Sequence, residues 1–290
     1  MSRPPYSQEI GRQNKACFLF LLDQSGSMEE PLGNSDLRKC DQLAQAINGW
    51  LQNMVIRATS DDGVRDWMDV GVYGYRTDLQ GNMIIAPALL GDLAGQRLVS
   101  IREIGARPAK VVSQTQYIPS EDTMEMIPVP CEVPVWVDPV HEGGTPMCNM
   151  LYQAHEILKE WIAGHPHSFP PIVVHISDGE SQDGDPRGWA DAIRQLQTSD
   201  GNVLLWNCHL SNTAADPITF PDSAGGLPDE FARTLFDISS VIPDPVYRRA
   251  AAEGFSLTPN ARGMVFNADM VCLIQFLNMG TRAAPGLGLR

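Results

Sequence analysis

Two hydrophobic periods alternate along the chain. Phe18-Leu-Phe-Leu-Leu22, preceded by Ala16 and Cys17, is an unbroken apolar run and predicts a strand buried on both faces, as in a parallel sheet covered by helices. After Ser35-Asp36, a predicted helix cap, Leu37, Leu43, Ile47, Trp50, Leu51, Met54 and Val55 recur at helical spacing until Thr59-Ser-Asp-Asp-Gly63 breaks the pattern. Asp69 to Tyr75 is the next strand, and pairing it parallel to the first gives a right-handed crossover. From Arg76 to Glu142 the pattern loses regularity. Strand-like pieces at Arg97 to Ile104, Lys110 to Ile118 and Pro134 to Val137 are interrupted by prolines at 87, 108, 119, 128, 130, 134 and 139, which predicts edge strands and loops. Thr145-Pro146 then opens a helix carrying Leu151, Ala154, Ile157, Leu158 and Trp161, and Ile172 to Ile176 is a second buried strand. A helix from about Gly188 to Thr198 leads to a strand at Asn202 to Leu210. Helices near Asp229 to Phe236, Pro245 to Glu253 and Ala268 to Leu277, with a short strand at Gly263 to Phe266, complete the pattern.

Strands alternating with helices predict an α/β chain with a mostly parallel central sheet flanked by helices. Residues 1–14 read as an N-terminal extension, 15–282 as one domain with 76–142 as an elaborated segment inside it, and 283–290 as a disordered tail. No repeat of solenoid or propeller length is visible.

The first strand ends abruptly in oxygen-bearing side chains: Asp23, Ser25 and Ser27, with Gly26 between the serines to let the backbone turn tightly. Ligands of open α/β sheets bind beyond the carboxyl ends of strands, and a carboxylate with two hydroxyls is a hard donor set suited to magnesium. Two later segments carry matching chemistry. Gly143-Gly-Thr145-Pro-Met147 opens a helix, where Thr145 alone would read as an N-cap, and Ile172-Val-Val-His-Ile-Ser-Asp178-Gly179 ends the second buried strand.

Asp23-Gln-Ser25-Gly-Ser27, Thr145 and Asp178, in that order, resemble the metal-ion-dependent adhesion site of von Willebrand factor A domains, and the resemblance spans roughly Lys15 to Arg282. It implies a doubly wound, Rossmann-like fold in which Asp23, Ser25, Ser27, Thr145 and Asp178 hold Mg2+, with Mn2+ or Ca2+ as alternatives. The serines would coordinate directly, Thr145 directly or through water, and the aspartates as ligands or as acceptors that orient waters and hydroxyls. It further implies a protein-interaction module whose metal takes an aspartate or glutamate from another protein. Similar bacterial cytosolic proteins work beside a kinase, phosphatase or ATPase in stress systems, and in members that change shape the last helix, here Ala268 to Leu277, moves.

Composition bears on partners. With 21 basic and 35 acidic residues the net charge is -14, which disfavours nucleic acid and anionic membranes. Glu29, Glu30, Glu142, Glu180, Asp183 and Asp185 crowd the motifs, so the expected partner presents its acidic residue within a basic patch. No stretch is long enough to span a bilayer and the polar start resembles no signal peptide, so a cytoplasmic location is expected. Six cysteines form no C-x-x-C pair, and Cys17 and Cys208 fall in apolar strands as free thiols.

The rival class is an enzyme, a magnesium-dependent phosphohydrolase. The sequence lacks the G-x-S-x-G elbow, the phosphate loop and the H-E-x-x-H pair, and Ser25 stands where an aspartyl nucleophile's second carboxylate would be wanted, so no catalysis is expected. The acidic loop Asp178 to Pro186 fails as a calcium EF-hand, since Trp189 or Arg194 falls where a bidentate glutamate is needed. His175 and His209, in buried strands, read as hydrogen-bonded core residues.

Overall fold

The computed structural model describes residues 5–33, 35–119, 126–211, 216–252 and 254–282, so the expected tail 283–290 lies outside the described residues. Strand β1 (Ala16–Asp23) runs through a single turn of 3-10 helix, Gly26–Glu29, into α1 (Lys39–Ala58). A small hairpin, β2 (Thr59–Ser60) and β3 (Gly63–Val64), precedes β4 (Met68–Thr77), β5 (Met83–Pro87), β6 (Val99–Ser100) and α2 (Ile101–Ala106). Then come β7 (Lys110–Pro119), β8 (Met126–Val135), α3 (Met147–Gly164), β9 (Ile172–Ser177) and α4 (Arg187–Gln195). A second small hairpin, β10 (Gln197–Thr198) and β11 (Gly201–Asn202), leads to β12 (Leu204–Leu210), β13 (Ile218–Thr219), α5 (Glu230–Ile238), α6 (Asp244–Ala252), β14 (Met264–Ala268) and α7 (Met270–Arg282).

The main sheet runs β13-β14-β12-β9-β1-β4-β5, with β6 also on β4. From β14 to β4 every pairing is parallel, and the edge strands β13, β5 and β6 are antiparallel. The chain is therefore mixed α/β, with a mostly parallel sheet between two helical layers. Alternation along β1 divides the core: Phe18, Phe20 and Leu22 face the layer of α1 and α7, while Cys17, Leu19 and Leu21 face α3, α4 and α5. All eight residues of β1 are buried, and each large apolar one contributes roughly 1.5–3 kcal/mol of transfer free energy. All six cysteines are free thiols. Among the described residues no helix is long and apolar enough to cross a membrane.

Two local expectations are corrected. Helix α1 begins at Lys39 with Arg38 at its cap, and Ser35 instead accepts a bond from the Leu37 N–H, stabilising a turn ahead of the helix. The apolar run at 97–104 is strand only at Val99–Ser100. Ser100 then caps α2 through the Glu103 N–H, and Ile101 and Ile104 meet the core at helical spacing. The N-terminal extension packs on the domain: Asp200 receives the Ser7 and Gln8 N–H groups at 3.1 and 3.0 Å, and Ile10 is buried.

The elaborated segment is a long hairpin, β7 with β8, outside the main sheet. Pro128, Pro130 and Pro134 share one parity in β8, which strips N–H donors from the edge that β7 does not use and blunts it against further pairing. Asn48 of α1 fixes the hairpin's base. Its Oδ1 accepts the Trp136 and Val137 N–H groups at 2.8 and 3.0 Å, and its Nδ2 donates to the Val137 carbonyl at 2.9 Å.

Candidate metal centre

From β1 the chain passes on one side to β4 and later, through α3, on the other side to β9, so the sheet's direction of winding reverses between β1 and β9. Ligand crevices form at such switch points. Asp23 is the last residue of β1 and Asp178 follows the last residue of β9, which brings both carboxylates to that crevice.

Asp23 is fully buried. Its Oδ1 accepts the Ser25 N–H at 2.8 Å and its Oδ2 accepts the Ser177 hydroxyl at 2.7 Å. Burial, with the Asp178 charge second, pushes its carboxyl up to about 6, against the pull of the bonds from Ser25 and Ser177. Such a carboxylate is stabilised by a nearby cation. Ser25 is buried and Ser27 lies exposed above it, their hydroxyls 3.1 Å apart. The Ser27 hydroxyl donates to Asp178 Oδ1 at 2.8 Å, so the one proton left for the serine pair is donated by Ser25. Gly26 has no positive φ, and its N–H donates to the Gly143 carbonyl at 2.8 Å; a Cβ there would stand 3.4 Å from that oxygen, an ordinary contact.

That bond is one of several that lace the Thr145 loop onto the sheet's edge. Glu142 N–H donates to the Gln24 carbonyl, Thr77 N–H to the Gly144 carbonyl, and Gly144 N–H to the Thr77 hydroxyl. Gly143 has φ +63°, and a Cβ there would stand 2.1 Å from the Thr77 carbonyl oxygen, so the position demands glycine twice over. Thr145 is 3% exposed and tied to the loop after Asp178 by a reciprocal pair: its N–H donates to Gln182 Oε1, and Gln182 N–H donates to its carbonyl. Thr145 does not serve as the helix cap that it would suggest when read alone, because α3 starts at Met147 with Pro146 at the cap and no side-chain cap bond. The capping anion is Asp183, which accepts the Cys148 and Asn149 N–H groups at 2.8 and 2.9 Å. Burial opposes its ionisation, yet the bonds from Asn149 and Cys148 prevail and hold its carboxyl below the usual range.

Asp23, Ser25, Ser27, Thr145 and Asp178 therefore come from three segments that touch one another directly. Their oxygens are two carboxylates and three hydroxyls, a chemistry that fits a hard divalent cation. Among the described residues no group of three or more His, Cys, Asp or Glu side chains is placed to hold a metal ion.

Sequence reasoning missed several neighbours. Ser177, adjacent to Asp178, was legible as one more hydroxyl at a strand end. Lys39 was not: its Nζ lies 2.8 Å from Asp178 Oδ2 and 2.9 Å from Glu30 Oε2. Beneath the site runs a buried chain. Tyr75 hydroxyl meets His175 Nε2 at 2.7 Å, His175 Nδ1 meets Asn207 Oδ1 at 2.9 Å, and Asn207 Nδ2 donates to Ser239 at 2.8 Å. Because the Asn207 amide donates to Ser239, its oxygen accepts from His175 Nδ1–H, which leaves Nε2 to accept from Tyr75. Burial lowers His175 to about 4, keeping the ring neutral. His209, also lowered to about 4 by burial, stacks on Phe266.

The chain is mixed α/β, with carboxylate and hydroxyl side chains gathered at the switch point of its mostly parallel sheet. No protein-family model matches the chain, and no curated protein matches it. Among solved structures it is similar to the PilB minor pilin from Streptococcus sanguinis at 14% identity and TM-score 0.32, over 60% of this chain and 32% of that one. It is also similar to the vWF domain of the type V pili tip protein Mfa5 from Porphyromonas gingivalis at 13% identity and TM-score 0.31, over 86% of this chain and 57% of that one. A structure of three N-terminal domains of Mfa5 gives 14% and 0.32, over 86% of this chain and 30% of the other. This chain thus spans between about a third and three fifths of the length of those proteins. Likenesses this distant say nothing about function.

Proposed function

We propose that the chain is a protein-interaction module of the von Willebrand factor A type, dependent on a divalent cation held by Asp23, Ser25, Ser27, Thr145 and Asp178. The observation that carries this reading is the bridge from Ser25 through Ser27 to Asp178, which joins the ends of two parallel strands in one oxygen cluster. Magnesium is the first choice, with manganese and calcium as substitutes. The cation polarises oxygen ligands and accepts a further carboxylate; the chain's own groups orient the serines and the loop of Thr145 around it. Two carboxylates leave a divalent ion electrostatically able to take an aspartate or glutamate from a partner protein.

The acidic rim is less repulsive than its composition suggests. Glu30 pairs with Lys39, Glu142 with Arg76, and Asp183 is spent on capping α3. We include in this reading a cytoplasmic setting, a kinase, phosphatase or ATPase as partner, and no catalysis by the chain itself. The test is capture of partners from native lysate in magnesium and in chelator, repeated with Asp23→Ala and Ser25→Ala. A partner retained only by the parent chain in magnesium is expected. Retention that ignores chelator and both substitutions overturns the reading, and magnesium-dependent turnover of a phosphoester that vanishes in Asp23→Ala revives the enzyme.

A further inference from the structure

Lys39 is the first residue of α1, where the helix dipole disfavours a cation, yet its side chain is 3% exposed and turned toward the metal-site carboxylates. Its ammonium lies 2.8 Å from Asp178 Oδ2, 2.9 Å from Glu30 Oε2 and 3.5 Å from the Ser27 carbonyl. Asp178 Oδ1 is taken by the Ser27 hydroxyl, so both oxygens of this carboxylate are occupied by the chain's own donors. A buried ammonium at hydrogen-bond distance from a site carboxylate stands where a bound cation would supply the same charge.

We propose that Lys39 is a tethered cation that competes with the divalent ion for Asp178, so that metal entry requires the ammonium to leave Oδ2 and the affinity of the site is set by that exchange. The proposal rests on the metal-dependent reading above. It explains how Asp178, with no exposed side-chain surface, is held without an unpaired buried charge. It also gives the displaced ammonium a destination. The site itself opens into a groove of about 370 Å³ whose lining includes Ser27 and Asp178 together with Lys39, Glu30, His209 and Asp229. An ammonium displaced into that groove is placed to meet the partner's carboxylate, so that metal entry and partner binding reinforce each other.

The exchange is tested with Mn2+ alone, titrated by electron paramagnetic resonance into the full chain, Lys39→Met, Lys39→Gln and Asp23→Ala. Removing a like charge beside the ion is expected to tighten Mn2+ binding by about tenfold or more in both Lys39 variants. Lys39→Met in chelator melts below the parent and recovers on adding Mn2+. In the parent chain, the Lys39 ammonium resonance, one of four lysines, shifts on Mg2+ saturation, a readout that does not depend on any variant folding. Unchanged or weaker Mn2+ binding in both variants, or a stationary Lys39 resonance while Asp23→Ala abolishes binding, overturns the exchange and leaves the metal site standing. Absence of saturable binding in every form overturns both.

Discussion

At the scale of single residues, the site is held by side chains whose purpose is to orient others. Ser177 spends its hydroxyl proton on Asp23 and accepts the Gly179 N–H at 3.2 Å. Ser177→Ala is expected to lower stability by roughly 1–3 kcal/mol, because the buried carboxylate loses a donor, and urea midpoints measure it. The same substitution should weaken Mn2+ binding by about tenfold, as loss of an orienting partner commonly does. His175 carries a pH dependence whose sign is fixed. Its folded value of about 4 lies below its ordinary 6.5, so the unfolded chain binds more protons between those limits and stability falls as pH drops through 6.5. From pH 7 to pH 5 that group removes on the order of 2 kcal/mol. Denaturant melts of the parent and His175→Gln at both pH values should show the loss shrink by that amount in the variant, while equal slopes would show that His175 does not titrate this way. The candidate metal ligands were legible as residues because their chemistry is local: a carboxylate and hydroxyls abutting a buried strand. Lys39 and Asn48 were not, since a lysine at a helix start and an asparagine within a helix read as surface until the tertiary contacts are known.

Elements show where periodicity suffices and where it does not. The buried strands β1 and β9 and the helices α3 and α5 follow from apolar spacing, because each buries a continuous stripe or run against one layer. The segment 97–104 misleads, since a short apolar run satisfies either period and only the Ser100 cap and the burial of Ile101 with Ile104 decide for helix. Turns are held as tightly as strands. Gly143→Ala, forced to keep φ +63° against the Thr77 carbonyl, should destabilise by about 1–3 kcal/mol and weaken Mn2+ binding together with it, because the same loop carries Thr145. Asn48→Ala leaves two buried N–H groups and a carbonyl at the hairpin base without their side-chain partner, and is expected to cost roughly 2–4 kcal/mol in a chemical melt.

On the scale of the whole molecule, the hairpin of β7 and β8 is an appendage to a complete sheet. Its ends meet at one point, where Lys110 pairs with Val135 and the Ala109 N–H donates to the Val135 carbonyl at 2.9 Å. Replacing residues 111–134 with an Asn-Gly turn should leave the melting temperature within about 5 °C of the parent and Mn2+ binding unchanged. If partner capture is lost in that variant while the metal still binds, the hairpin carries specificity; a chain that no longer folds would show that the hairpin is integral to the core.

The amino-acid sequence by itself determined the period of each long element, the two-faced burial of β1 and the order of the three oxygen-bearing segments, because these depend on neighbours within a few residues. Only the tertiary structure decided that β9 lies beside β1, that Gly143 closes onto Gly26, and that the Lys39 ammonium reaches Asp178. Those pairings join positions more than a hundred residues apart, except the short reach from Lys39 to Glu30, and they arise from how the parallel strands are ordered in the sheet. No local pattern encodes that order, so the site's parts could be read along the chain while its assembly, and the cation already built into it, could not.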